Sequence, residues 1–434
     1  MNIPFSKRTL ANGLDVLLHE DHACPIVAVN IWYHVGSKNE RPGHTGFAHL
    51  FEHLMFEGSQ HLDRGYFQPL QGAGATLNGS TNGDRTNYWE VVPTGALELA
   101  LWMESDRMGY LLPALTQAKF SNQRDVVLNE RRQNYENRPY GLAPMALLAA
   151  LFPDDHPYHW TTIGEIADLE AVQLDEVHAF FRRYYHPANA SIAVAGDIDG
   201  DDALALVDQY FGEIDPGEGV DPVRASAALP GDVRIQFEDR VELPRLYLAW
   251  LTPAMFAEGD ADLDLATDLL ANGKTSRLYR RLVFDERLAT DVSASQNSRE
   301  IAGYTQITAT AAPGHTLGEL ERAILEEIAR LAAEGPTDEE IERGRVQAEA
   351  QFVFRLQTVG GFGGKSDQLN AYNTFLHDPA YFGRDLERYQ VVTHASLRSV
   401  VNAYLDPARR VTLSIVPNGR PALAAPDSVR AVVS

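Results

Sequence analysis

Strand-like and helix-like stretches alternate along all 434 residues, and the second half of the chain repeats the first. These two observations predict an α+β protein built from two homologous α/β domains, and a chain of this length is too long for one compact core. The repeat can be read directly. "RIQFED" and "PRLYLAWLTPAM" repeat the opening pair of strands, and "DLDLATDLLANG" matches the apolar pattern of "FAHLFEHLMFEG". "AYLDPARRVTLSIVPNG" echoes "RYYHPANASIAVAGD", with Pro407 against Pro187 and, earlier, Gly273 against Gly58. The period is about half the chain, which means duplication of a whole domain rather than a solenoid. Residues 214–232 hold three prolines and three glycines without helical or strand period, which marks a linker. The expected division is therefore 1–213, a linker at 214–232, and 233–434.

In chain order, residues 14–18 and 26–34 read as strands, rich in β-branched and apolar side chains. A buried helix is expected at about 45–57, ended by Gly58. Asn82-Gly83 is a hairpin dipeptide and predicts a strand on each side. Long amphipathic helices follow at about 94–110 and 117–136. A further helix leads into "FFRRYYHPANASIAVAGD", which turns into a strand after Pro187.

The bulk numbers exclude several classes. Hydrophobic residues make up 44% and charged residues 22%, as in an ordinary globular protein. No run of 18 apolar residues occurs, so no membrane span or membrane partner is expected. Thirty-seven basic against sixty acidic residues give a net charge of −23, which argues against nucleic acid and anionic lipid. That charge reads as a solvated acidic surface, compatible with a mild preference for cationic substrates. The single Cys24 excludes an intrachain disulfide. With no signal-like stretch in "MNIPFSKRTLANGLDVLLHED", the expected compartment is the cytoplasm, or the periplasm if a leader precedes the sequence.

The 47–58 helix poses a problem. It is apolar nearly all round, yet it carries His49, Glu52 and His53, which are costly to bury alone. At 3.6 residues per turn the two histidines lie about 40° apart and the three groups span roughly 100°. Two imidazoles one turn apart can share a Zn²⁺, and a carboxylate between them can take a proton from water at that ion. The plainer alternative is a hydrogen-bonded core cluster. In the second copy, Asp264, Thr267 and Asp268 stand at these places, so a metal would belong to the first domain alone. For a third ligand, the "QRDVVLNERRQNYENRP" helix offers Gln123, Glu130 and Glu136. Elsewhere, "GGFGGKS" at 360–366 resembles a phosphate loop, but Val359 stands where the pattern requires glycine, so a flexible hinge is the ordinary reading.

"HLFEH", followed further along the chain by Glu130 in "RDVVLNERRQNYEN", resembles the inverted-motif zinc peptidases: pitrilysin, insulin-degrading enzyme and the mitochondrial processing peptidases. The resemblance extends through "TLANGLDVLLHED", "GHTGFAHLFEHLMFEGS", "LNGSTNGDRTNYW" and the duplication, and so covers essentially the entire chain. It implies mainly antiparallel sheets with helices packed on one face, in two domains forming half of a clamshell chamber. It implies one Zn²⁺ held by His49, His53 and Glu130, with Glu52 as general base. Gln123 replaces the family's frequent glutamate and is expected to hold a ligand's second nitrogen. Leu77, Asn78, Gly79, Ser80 and Thr81 match the substrate-binding edge strand, with Gly79 in place of the usual alanine and so with more room.

The chain is closest in length to the zinc-bearing subunit of the short bacterial two-subunit peptidases. In that family the C-terminal domain brings an arginine and a tyrosine, spaced Arg-x₆-Tyr, to the peptide. Here Val283 and Thr290 hold those positions, with Arg277, Tyr279, Arg280 and Arg281 nearby. The implied function is a metalloendopeptidase acting on peptides or unfolded chains, as a heterodimer with a homologous metal-free subunit that carries the pair. The alternative is a scaffold or assembly subunit of the same fold.

Overall fold

A computed structural model of the chain describes residues 1–432. Two compact units are present. The first comprises Met1–Asn129, Thr162–Val223 and Ala350–Arg384; the second comprises Glu130–Thr161, Arg224–Glu349 and the rest of the described chain from Asp385. Each unit gathers segments from both sides of residues 214–232, and most of that stretch has neither helix nor strand.

The first unit is built on strands β1 (Ser6–Thr9), β2 (Asp15–Glu20), β3 (Ile26–Tyr33), β4 (Thr76–Thr81), β5 (Thr86–Pro93) and β6 (Ala190–Gly196). They lie in the order β1-β2-β6-β3-β5-β4, antiparallel except for the β2–β6 pair. The second unit has β7 (Val233–Asp239), β8 (Arg245–Thr252), β9 (Ala289–Asn297), β10 (Gly303–Ala311), β11 (Val411–Pro417) and β12 (Val429–Arg430). Their order is β12-β7-β11-β8-β10-β9. Five strands of one sheet correspond in order and direction to five of the other, including the parallel β2–β6 and β7–β11 pairs. The duplication read from the sequence is thus a duplication of topology.

The period-2 alternation of β3 decides what packs where. Val27, Val29, Ile31 and Tyr33 point to the face where most helices lie, including Phe47–Leu54 (α1) and Leu97–Tyr110. Ala28, Asn30 and Trp32 point the other way, against the helix Lys365–Leu376. That reverse face is polar, and its partners come from distant chain. Asn30, Asn87 and Trp32 all donate to Asp367, while Ser191 donates to Asn370. In the second unit the helix Ala143–Leu151 covers the equivalent face of β8 and β11, closing a core with Phe152, Ala249, Leu413 and Ile415.

A buried charge supports the β4–β5 edge. Arg107 is 1% exposed and pairs with Glu104, which is fully buried. Its guanidinium lies 4.2 and 4.1 Å from the ring centres of Tyr66 and Tyr88. Beside it, burial and the neighbouring Glu104 push the Glu90 carboxyl well above its ordinary range. Replacing Arg107 with Met keeps the volume but strands Glu104. A loss of about 3–5 kcal/mol is expected, read as a lower urea midpoint for the transition that melts the first sheet. An unchanged midpoint would mean that the pair contributes nothing to holding the sheet.

Candidate metal centre

Helix α1 is short, and its surroundings rather than its propensity hold it. Phe47, Ala48, Leu50, Phe51 and Leu54 are buried, and Phe51 packs on Phe180 and Tyr185. The helix begins where the Glu40 carboxylate accepts from the backbone N–H groups of Gly46 and Ala48, at 3.0 and 2.8 Å. A carboxylate at this end satisfies donors that the helix leaves open and suits the helix dipole. Thr45, just before, is tied to Asp168 through both its N–H and its hydroxyl. The helix runs over Phe47–Leu54 and ends earlier than the glycine at 58 suggested.

With its other sides locked, α1 presents His49, Glu52 and His53 together, each half-buried. The two imidazole rings lie 4.9 Å apart and nearly perpendicular. The helix Gln117–Arg131 brings Glu130 to them in its last turn, and one ligand atom each from His49, His53 and Glu130 lies within 4.8 Å of the others. The division between the two units falls inside this continuous helix, and all but its last two residues belong with α1. Beyond it the chain continues as a wider π-helical turn, Arg132–Glu136. Two nitrogen donors and one carboxylate, half-buried and convergent, fit a Zn²⁺ site that keeps a position open. Among the described residues no second group of this kind occurs.

Gln123 is hydrogen-bonded to Glu57 on the turn that follows α1. Leu77 to Thr81 all lie on β4, which is the edge of the sheet and packs beside α1. Only one side of β4 is paired, with Asn78 opposite Trp89 and Ser80 opposite Asn87. The Gly79 N–H donates to the Asn78 side chain. Gly79 does not provide spare room. A Cβ there would stand 3.0 Å from Tyr88 and 3.2 Å from the Phe56 ring, so the two aromatic rings already fill the space an alanine would need.

Sequence reasoning missed Arg85. It follows the Asn82-Gly83 turn, lies over Trp32, and donates to the Ser80 carbonyl at 2.9 Å and the Ser80 hydroxyl at 2.6 Å. Burial lowers its pKa, while the carboxylates of Asp367, Glu52 and Asp84 oppose that. The only available signal was a cation directly after a hairpin turn.

In the second unit the helix Asp260–Ala271 occupies the place of α1. Asp264 accepts from the Tyr389 hydroxyl at 2.7 Å, and burial pushes its pKa up to about 7. Val283 packs against that unit's core, and the Thr290 hydroxyl is used by Asp291 and the Thr310 carbonyl. Of the nearby cations, Arg277 is held by Glu340 and Arg281 by Glu286 and Glu326, whereas Arg280 is 75% exposed. Tyr279 packs on the core.

The family model "Insulinase (Peptidase family M16)" matches residues 15–159, and "Peptidase M16 inactive domain" matches residues 171–347. The chain belongs to this zinc peptidase family. It is 28% identical to the zinc protease PqqE of Helicobacter pylori over 362 residues, covering 82% of this chain and 81% of that protein. It is 24% identical to an uncharacterized zinc protease, YmxG, of Bacillus subtilis over 359 residues, or 81% and 84% of the two chains. A solved protease structure from Helicobacter pylori superposes with a TM-score of 0.88 at 25% identity, covering 95% of this chain and all of that one. The periplasmic protease PqqL from Escherichia coli shares the fold, with a TM-score of 0.78 at 18% identity over 98% of this chain and 49% of that one. No helix among the described residues is long and apolar enough to cross a membrane.

If the cluster holds zinc, Glu130→Ala should leave the purified chain with far less than one ion, because one of the three converging donors is gone. Glu52→Gln should keep it. Metal analysis after dialysis against a weak chelator distinguishes the two, and equal zinc in both would remove Glu130 from the ligand set.

Proposed function

We propose that this chain is the zinc-bearing subunit of an endopeptidase that cleaves extended peptides or unfolded chains, and that a homologous metal-free subunit completes it. The observation that carries this reading is the convergence of His49, His53 and Glu130 beside an unpaired edge strand.

The division of labour follows from the groups present. His49, His53 and Glu130 would hold one zinc, which supplies Lewis acidity toward a peptide carbonyl and toward water. Glu52 shares α1 with the histidines but is not among the converging ligand atoms, so its place suits a base rather than a ligand. It accepts the proton released as water attacks and delivers it to the leaving amine. The outer edge of β4 takes the substrate as an added strand, so backbone hydrogen bonds bind it with little regard to sequence. Arg85, bonded to the Ser80 carbonyl, fastens this edge to its own hairpin turn.

The family's two positions for groups that steady the developing oxyanion are held here by residues that cannot replace them. Val283 and Thr290 stand where the family has arginine and tyrosine. Arg277 and Arg281 close by are already engaged with Glu340, Glu286 and Glu326. Loss of one such donor costs about 10²–10³ in turnover. A partner carrying the pair restores it, which favours a heterodimer over a self-sufficient enzyme.

Zinc-loaded chain alone should cleave an unstructured peptide slowly, and adding a metal-free homologue that carries the Arg/Tyr pair should raise turnover about 10²–10³-fold. Glu52→Gln in the assembled pair should abolish it. Full activity without a partner would refute the heterodimer, and no cleavage in any combination would favour the scaffold reading.

Proline scanning of β4 tests the substrate strand. Neighbouring N–H groups point to opposite sides of a strand, so one of Ser80→Pro and Thr81→Pro removes a donor from the outer edge. That variant should raise KM sharply while zinc content is unchanged. Unaltered KM in both would move the substrate elsewhere.

A further inference from the structure

The glycine-rich stretch 360–366 is not accounted for by the metal centre, and its surroundings give it a different role from a hinge or a phosphate loop. Lys365, the residue a phosphate would need, is bonded to Asp21 at 2.6 Å. The loop is tied down at several points. The Lys365 and Ser366 N–H groups donate to the Thr358 and Val359 carbonyls, and the Gly363 N–H donates to Asp367. Gly360 lies flat on the sheet, where a Cβ would stand 2.5 Å from Ala28 and 2.6 Å from Val91, so only glycine allows this approach.

Pinned in this way, Gly360 and the three residues before it, Gln357, Thr358 and Val359, line one part of a cavity of about 280 Å³. The rest of the lining is Ala23 and Cys24 from the turn before β3, Ile26 at its start, Val91 near the end of β5 and Thr76 at the start of β4. Val359, Ile26, Val91 and Ala23 make the lining mainly apolar, and the one carboxylate, Asp21, is neutralised by Lys365. All these residues belong to the first unit.

We propose that this cavity is a specificity subsite that takes one bulky apolar side chain of the bound peptide. The proposal rests on β4 as the substrate strand. Thr76 belongs to both the cavity and β4, so a strand added to β4 runs past the cavity mouth. Directly opposed residues in a sheet put their side chains on the same face. Thr76, Asn78 and Ser80 share one face of β4, so the peptide residue opposite Thr76 directs its side chain to the face where Val91 lies. That residue is four along the peptide from the one opposite Ser80, roughly 13–14 Å away for an extended strand. The endopeptidase proposed above would otherwise select only for extended chains; this pocket adds a preference for an apolar side chain at one fixed distance from the cleaved bond.

Cys24 is the only cysteine, is exposed, and lines the cavity, so its alkylation rate reports occupancy. The test uses the zinc-loaded full chain with Glu52→Gln, so that peptides stay intact. Unstructured peptides of one length carry a single Phe moved stepwise along a Gly/Ser background, and binding is measured by anisotropy in parallel with iodoacetamide labelling. One Phe register is expected to bind about tenfold more tightly than the all-Gly/Ser peptide and to slow Cys24 labelling at least fivefold. Cys24→Trp, which fills the cavity, should erase that tenfold preference and leave binding of the Gly/Ser peptide unchanged. Binding that is lost on proline substitution in β4 but never protects Cys24 and shows no register preference would overturn the subsite and leave the substrate strand standing. Binding indifferent to proline in β4 would overturn both.

Discussion

Everything functional in the first unit depends on how firmly α1 is held. An eight-residue helix has little stability of its own, and here Glu40 closes its N-terminus while five of its side chains are buried. That burial removes the freedom to rotate about the helix axis. The two imidazoles, separated by one turn, then face a fixed direction, and the Gln117–Arg131 helix needs only to bring one carboxylate to the same point. Donors held in place in advance would make binding of an ion less costly in entropy, and the same rigidity fixes Glu52 one step round the helix.

The edge strand is positioned by the same packing. Tyr88 and Phe56 close on Gly79 from the core side, Arg107 lies over Tyr88 beneath them, and Arg85 grips the Ser80 carbonyl. A buried ion pair is a weak source of stability against an apolar replacement, but it is a strict one, since losing one member strands the other. Here it lies beneath an edge strand whose outer side is unpaired. The second unit has the same topology with different residues at these places. The strand order is preserved, whereas the helix equivalent to α1 carries Asp264 bonded to Tyr389 and forms no cluster of metal donors among the described residues.

Much of this was legible in the sequence because it is local or periodic. The duplication, the hairpin at Asn82-Gly83 and the one-turn spacing of His49 and His53 follow from short-range or repeating patterns. Glu130 was one of three acidic or amide candidates on its helix until the family resemblance singled it out, because the long stretch of intervening chain leaves no spacing rule. Other features depend on long-range partners. The Asn30, Trp32 and Asn87 side chains donate to Asp367, hundreds of residues away, and nothing in the β3 alternation could indicate which helix would cover that face. The glycine-rich stretch read as a hinge because composition suggests freedom, whereas contact with Ala28 and Val91 shows that glycine is there for close approach. Gly79 was misread in the same way, as room rather than as space already filled.

If two imidazoles of α1 and the Glu130 carboxylate share one zinc, X-ray absorption at the zinc edge of the loaded chain shows it most directly. The expected result is a four- to five-coordinate ion with two imidazole nitrogens at about 2.0–2.1 Å, the rest oxygen at about 2.0–2.2 Å, and no sulfur. The imidazole signature should halve in His53→Ala. A sulfur shell at about 2.3 Å, which only Cys24 or a methionine could supply, or a spectrum unchanged by loss of His53, would contradict a shared His49–His53–Glu130 site.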